Sequence, residues 1–214
     1  MALISRSVLL LIALFCLGEL SIRVESNTRS SRMVEVDDGI SLRLIEAVKA
    51  DGPALVFIPG WSTGADIWGQ QLDTSAKTHR VIAFDPGSEG DSTKTTSGNT
   101  PELRAHDLHV LLERVGVRRP ILIGWSQAVQ DVAAYVERYG TKDLAGIVLV
   151  DAAVSDGADG ISARPQETAQ QFKMFSIYQA HQQEYLSGMM RAIISKPQTD
   201  DAIKELVRTG MKTP

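Results

Sequence analysis

Ile121-Leu122-Ile123-Gly124-Trp125-Ser126-Gln127-Ala128 is the stretch that decides the reading of this chain. Ile121–Ile123 is an apolar run of strand character that stops at Gly124, and a helical pattern opens at Gln127 and runs to Tyr139, closed by Gly140. Ser126 therefore falls on a tight strand-to-helix turn with small residues at Gly124 and Ala128. Such a turn lifts a hydroxyl clear of the sheet, and small neighbours let strand and helix meet without a clash. That is the arrangement a nucleophilic serine needs. The other reading of Ser126 is a plain cap, its side chain satisfying the first turn of the helix.

Outward from this turn, strands and helices alternate. Met33–Val36 and Ile40–Val48 are partly alternating apolar segments around Asp37-Asp38-Gly39, a hairpin signal, and Asn27–Ser31 ahead of them reads as a polar lead-in. Pro53–Ile58 and Val81–Phe84 are short continuous apolar runs, as expected of strands covered on both faces. Between them Ala65–Ala76 reads as one helix. Asp91–Thr100 is a loop rich in Ser, Thr and Gly. Thr100-Pro101-Glu102 then opens a helix to about Val115, with a hydroxyl at the N-cap and Pro at the first helical position. Ala145–Val150 is a further strand. The order β-β-β-α-β-α-β-α-β specifies an α/β fold, a mostly parallel sheet with helices on both faces. From Asp156 the alternation stops: Pro165–Ser195 and Thr199–Thr209 read as helical, with Thr199 as N-cap and Gly210 at the far end.

The bulk properties narrow the function. A chain of 214 residues buries one substantial core. A net charge of −4 gives no basic surface for nucleic acid, so no nucleic-acid partner is expected. Arg6 precedes an unbroken apolar run of 11 residues, Val8–Gly18, which is short for a membrane span but suits the core of a signal peptide. Cleavage after Ser26 is expected, giving a secreted or periplasmic protein with no other membrane segment; an uncleaved anchor is the alternative. Cys16, the one cysteine, lies inside that segment. The mature protein would have no thiol, which excludes a disulfide framework, a thiolate metal site and cysteine catalysis. No ligand-spaced histidine cluster is present, and no Gly-rich phosphate loop follows a strand. No cofactor or metal is expected.

Pro59-Gly60-Trp61 ends a strand and enters a loop before a helix. Acyl transfer builds negative charge on the carbonyl oxygen, and backbone N–H donors aimed at that oxygen supply much of the catalysis. In this architecture one donor is the residue after the nucleophile, Gln127. The other comes from the loop after the third strand, where Trp61 is best placed. The plain alternative is that Gly60 only turns the chain and Trp61 only packs.

Three segments together resemble the α/β-hydrolase fold family, in the group of esterases, non-haem chloroperoxidase-like enzymes and epoxide hydrolases. Phe57-Ile58-Pro59-Gly60-Trp61 is similar to the family's His-Gly-aromatic oxyanion loop, with Pro59 at the usual histidine. Phe84-Asp85-Pro86-Gly87-Ser88-Glu89-Gly90-Asp91-Ser92 is similar to its Asp-x-Arg-Gly-x-Gly-x-Ser turn, with Gly87 at the usual Arg and Ser88 at the usual Gly. Gly124-Trp125-Ser126-Gln127-Ala128 resembles its nucleophile elbow, with Ala128 at the usual second glycine. The resemblance runs from Met33 to Asp151. It implies catalytic roles for Ser126, Trp61 and Gln127 and a small-molecule acyl substrate, with no statement on oligomeric state. A serine at the elbow argues against the dehalogenase and epoxide-hydrolase branches, which attack through a carboxylate. The helical segment resembles the family's cap. The implied organisation is a signal peptide over 1–26, the hydrolase core over 27–155 and a helical cap region over 156–214. Met174, Phe175, Tyr178, Met189 and Met190 would then be apolar pocket walls or cap core.

The resemblance also implies a histidine base and an acid after later strands, and neither strand is found. His79, His106, His109 and His181 do not match the base's position; His181 alone lies in a segment that would overhang the site. Asp151 and Asp85 read as structural carboxylates. The expectation is a chain that ends inside or just after its cap, holding nucleophile and oxyanion donors without the base, and inactive or poorly soluble alone. Three functions follow from the reading: a serine hydrolase forming an acyl-enzyme, a cofactor-free haloperoxidase-like enzyme using the same residues, and a non-catalytic binding protein on the hydrolase fold.

Overall fold

The computed structural model describes residues 29–47, 52–152 and 162–214. The expected signal segment with Cys16, the end of the second strand at Val48, and Asp156 lie outside the described residues. The elements are β1 Ser30–Asp37, β2 Ile40–Ala47, β3 Leu55–Ile58, a 3-10 turn Ala65–Trp68 running into α1 Gly69–Ser75, β4 Val81–Phe84, α2 Pro101–Arg114, β5 Ile121–Trp125, α3 Ala128–Tyr139, β6 Gly146–Val150, α4 Pro165–Ala180, α5 Gln182–Ile193 and α6 Asp200–Gly210.

The six strands form one sheet in the order β1-β2-β4-β3-β5-β6. β1, β2 and β4 pair antiparallel, while β4, β3, β5 and β6 are parallel. The expected mostly parallel α/β sheet is thus present. β1 starts at Ser30, paired with Glu46, so the polar lead-in is already strand by that point. Two other expectations need correction. Ala65–Ala76 is not one helix, because its first four residues wind as 3-10 before α1 begins. Pro165–Ser195 breaks at His181, whose φ of −141° and ψ of 53° end α4 and start α5.

Side-chain alternation builds two cores, one on each face of the sheet. Val56, Ile58, Ile82, Phe84 and Leu122 point to the face covered by α2 and α3, where they meet Leu108, Leu111 and Val132. Phe57, Val81 and Ala83 point the other way, onto Trp68, Leu72 and Ala76. A third cluster joins the last three helices: Tyr178, Leu186, Met190, Ile203 and Val207, with Trp61 and Ile67 packed against it. Thr100 caps α2 by accepting from the Leu103 N–H, and Thr199 caps α6 by accepting from Ala202 at 3.2 Å, both as the sequence pattern expects.

β6 differs from the other parallel strands. Ile147, Val148 and Leu149 remain 36–45% exposed, although they lie on both faces of the sheet. Among the described residues β6 pairs with β5 alone. No helix among them is long and apolar enough to cross a membrane.

Candidate active site

β5 delivers Ser126 to the end of the sheet at which the parallel strands finish. Its backbone sits in the left-handed region, φ 55°, which is rare for a residue with a side chain and typical of strained functional turns. The turn is pinned from both sides. The Ser126 N–H donates to the Val150 carbonyl at 2.9 Å, and the Ser126 carbonyl accepts from Val129 at 2.9 Å. The Ser126 hydroxyl makes no hydrogen bond among the described residues, and Gln127, the N-cap of α3, gives it no side-chain cap. The serine is therefore not a helix cap. Its half-buried hydroxyl is free for another partner.

The small neighbours are required by distance. A Cβ on Gly124 would lie 2.9 Å from the Ala128 carbonyl oxygen and 3.0 Å from Val132 Cγ2. α3 crosses β5 at that point only because Gly124 has no side chain.

The Gly60 loop touches this turn directly. A Cβ on Gly60 would stand 3.0 Å from Ser126 Cβ and 3.2 Å from the Trp125 ring. The loop is tightened by Thr63, whose hydroxyl donates to the Gly60 carbonyl at 2.6 Å. The backbone N–H groups of Trp61 and Gln127 have no acceptor among the described residues, and the buried Gln127 Oε1 has no partner either. The Trp61 ring packs edge-on against Tyr178 at 4.6 Å and Phe175 at 5.7 Å. Packing and a free N–H therefore coexist at Trp61. The structure brings Ser126 and Gln127 together on one turn and sets the Gly60-Trp61 loop against it.

Asp85 holds this loop from behind. Its buried carboxylate accepts from the Ala65 N–H at 2.7 Å and the Asp91 N–H at 2.8 Å, and Arg43 Nη1 lies 3.4 Å away. Burial raises its pKa, and those two N–H groups and Arg43 oppose the rise. It is a turn-stabilising carboxylate, as expected. Ser88, at the glycine position of the family turn, takes φ 66° and holds it by accepting from the Thr95 N–H at 2.9 Å.

None of the four histidines hydrogen-bonds to Ser126. His79 contacts Thr78 before β4, at the other end of the sheet. His106 pairs with the Tyr139 hydroxyl at 3.1 Å, and His109 stacks on the Tyr139 ring at 3.9 Å. His181 is exposed at the break between α4 and α5. Asp151 follows β6 with φ 58°, exposed, and its carboxylate makes no hydrogen bond among the described residues. Of the five expected cap or wall residues, Tyr178 and Met190 are buried core and Met189 packs against them, while Met174 and Phe175 are about half exposed.

One buried cluster lies outside every motif named from the sequence. Glu89, Arg104 and Asp131 are buried together between the Asp85 turn, α2 and α3. Arg104 Nη2 donates to Glu89 Oε1 at 2.9 Å, and its Nη1 lies 3.9 Å from Asp131 Oδ2. Glu89 Oε2, Arg104 Nε and Asp131 Oδ1 have no hydrogen-bond partner among the described residues. Burial, opposed by Arg104, pushes both carboxyl groups up to about 7. A signal existed: Arg104 shares a helical stripe with Leu108 and Leu111, and Asp131 shares one with Ala128 and Tyr135. A charge on a buried stripe announces a buried partner.

A cleft of about 700 Å3 opens beside the elbow, with Trp68, Trp125, Val150, Ile193, Ile194 and Leu206 among its walls. Among the described residues no group of His, Cys, Asp and Glu is arranged to hold a metal ion.

Comparison with known proteins gives a consistent picture. Residues 53–192 match the family described as alpha/beta hydrolase fold. A bifunctional esterase/perhydrolase of Acinetobacter calcoaceticus is 31% identical over 120 residues, 56% of this chain and 44% of that protein. A non-heme chloroperoxidase of Streptomyces lividans is 33% identical over 120 residues, with the same shares. The crystal structure of an esterase from Rhodococcus sp. ECU1013 superposes with a TM-score of 0.69 at 27% identity, covering 86% of this chain and 69% of that one. The match thus spans less than half the length of these two curated relatives. The family match takes in both the Ser126 turn and the Gly60 loop, and the sheet is the expected mostly parallel one with helices on both faces: the chain belongs to the alpha/beta hydrolase fold family.

Proposed function

We propose that this chain supplies the nucleophile and the oxyanion donors of a serine hydrolase acting on a carboxylic ester or related small acyl compound. One observation carries the reading. Ser126 holds φ 55° at the head of α3 with its hydroxyl unpaired among the described residues, in van der Waals reach of the Gly60 loop. Strain of this kind persists where the surroundings impose it, and the imposed geometry presents the hydroxyl.

In this reading Ser126 Oγ attacks the acyl carbon and its proton passes to a base. The carbonyl oxygen becomes an oxyanion, which takes hydrogen bonds from the Trp61 and Gln127 N–H groups. Collapse expels the alcohol, reprotonated as it leaves, and water then hydrolyses the acyl-enzyme to the free acid. His79, His106 and His109 hold other partners and His181 is exposed without a bond to Ser126, so the base is left unassigned. The names of the relatives favour esters as the substrate class and add a second outcome: hydrogen peroxide attacking the same acyl-enzyme in place of water would release a peracid. The apolar segment Val8–Gly18 supports export of the protein.

The test is turnover of short p-nitrophenyl esters by the full gene product and by its Ser126→Ala variant. Loss of turnover in the variant, about a thousandfold or more, is the expected result. Equal turnover would remove Ser126 from the chemistry. A biological effect that survives Ser126→Ala unchanged would favour a non-catalytic binding protein on this fold.

A further inference from the structure

Two helices of the C-terminal segment converge on one side chain of the Gly60 loop. Ser62 is fully buried and, like Ser126, sits in the left-handed region, φ 57°. Its hydroxyl donates to the carbonyl of Gly210, the last residue of α6, at 3.2 Å. It also lies 3.3 Å from the Tyr178 hydroxyl of α4. The Ser62 proton is committed to Gly210, so Tyr178 must donate to Ser62 Oγ. Tyr178 in turn accepts from Gln182 Nε2 of α5. The result is a one-directional chain from Gln182 through Tyr178 and Ser62 to Gly210, with every hydroxyl used once as donor and once as acceptor.

Packing reinforces the chain. A Cβ on Gly210 would lie 2.6 Å from the Ser62 carbonyl oxygen, so α6 rests on the loop backbone itself. Gly210, at the far end of the helix as the sequence pattern expects, is the last residue of α6, and its missing side chain permits this contact. On the other side Tyr178 presses its ring on Trp61. Residues Trp61 and Ser62 are thus held between α4 and α6.

We infer that Ser62 is a positioning residue: through its bonds to Tyr178 and Gly210, the seating of the helical segment sets the backbone that carries the Trp61 N–H. This rests on the proposed role of Trp61 as an oxyanion donor. It makes the helical segment part of the framework of the oxyanion hole as well as a cover over it.

Two variants of the full gene product separate the hydroxyl from the backbone conformation. Ser62→Gly keeps the left-handed φ without strain and loses the hydroxyl. Tyr178→Phe keeps the ring and loses the donor. Amide hydrogen exchange of residues 61–65 reads positioning independently of activity, and kcat against KM reads its effect. Each variant is expected to speed exchange in that loop about tenfold and to lower kcat about tenfold with KM changed less than about threefold. In the double variant the two effects should not multiply, because both break one chain. Unchanged exchange in both single variants overturns the inference, as does full multiplication of their effects. If the wild-type protein turns over no ester, the hydrolase reading falls, and the exchange measurement still decides the positioning role.

Discussion

Gly60 faces Ser126 so closely that no side chain fits between them: a single methyl group added to Gly60 would stand 3.0 Å from Ser126 Cβ, with the Trp125 ring 3.2 Å away. Neither neighbour can withdraw. Ser126 is pinned by its hydrogen bonds to Val150 and Val129, and Trp125 belongs to β5. Gly60→Ala is therefore expected to push the loop away from Ser126 and to destabilise the fold by about 1–3 kcal/mol. Urea unfolding measures the second effect, and ester turnover by the full gene product measures the first. A variant with wild-type stability and turnover would mean that the loop and the elbow are not rigidly opposed.

Gly124→Ala tests the other side of the elbow. Its Cβ would meet the Ala128 carbonyl at 2.9 Å, a backbone atom that only a shift of α3 can move. The expected cost is about 1–3 kcal/mol, from overpacking. Thermal unfolding of the variant against wild type checks it. Ala128→Gly, which removes volume from the same junction, should leave the junction free of this clash.

The Glu89–Arg104–Asp131 cluster gives the protein a pH dependence whose sign can be worked out. Burial raises both folded-state pKa values to about 7, from ordinary values of 4.5 and 3.8. The folded state thus holds protons that the unfolded state has released. The contribution to stability is complete below the unfolded values and is lost as pH rises through about 7. Asp131→Asn should flatten this dependence. Arg104→Met removes the only cation of the three, and at pH 8 it should cost about 3–5 kcal/mol, less at pH 5 where the acids are neutral. Unfolding by urea at pH 5, 6, 7 and 8 measures all three. A wild-type stability that rises steadily from pH 5 to pH 8 would refute the assignment.

β6 carries a prediction about handling. Val148 is 45% exposed on a strand that pairs on one side only among the described residues. Apolar side chains on an open edge template association between molecules. Where β6 stays uncovered, the protein is expected to associate through it. Val148→Lys should raise its soluble fraction, measured by size-exclusion chromatography. No change would place the association elsewhere.

The sequence disclosed what is local. Val56–Ile58, Val81–Phe84 and Ile121–Ile123 read as strands because a short apolar run between turn residues has few other uses, and the elbow read as a turn because Gly124, Ser126 and Ala128 are adjacent. Contacts made across long separations stayed hidden. Ser62 meets Tyr178 116 residues on and Gly210 148 residues on, and no spacing rule reaches that far. The 3-10 start of Ala65–Trp68 is set by Asp85, whose carboxylate captures the Ala65 N–H and so fixes where the first turn winds. The break at His181 likewise lacks a Gly or Pro to announce it, and α4 and α5 separate there as Leu186 and Met190 turn onto Ile203 and Val207. The buried charges were half visible: Arg104 and Asp131 occupy apolar stripes, but their pairing depends on how α2 and α3 cross.

The central claim is that Ser126 is a nucleophile whose hydroxyl is presented by a strained turn. Treatment of the full gene product with a fluorophosphonate probe, followed by peptide mass spectrometry, tests it directly. The account predicts one phosphonyl adduct, on the peptide containing Ser126, and none in Ser126→Ala. An unlabelled Ser126 in folded protein, or an adduct that persists in Ser126→Ala, would contradict it.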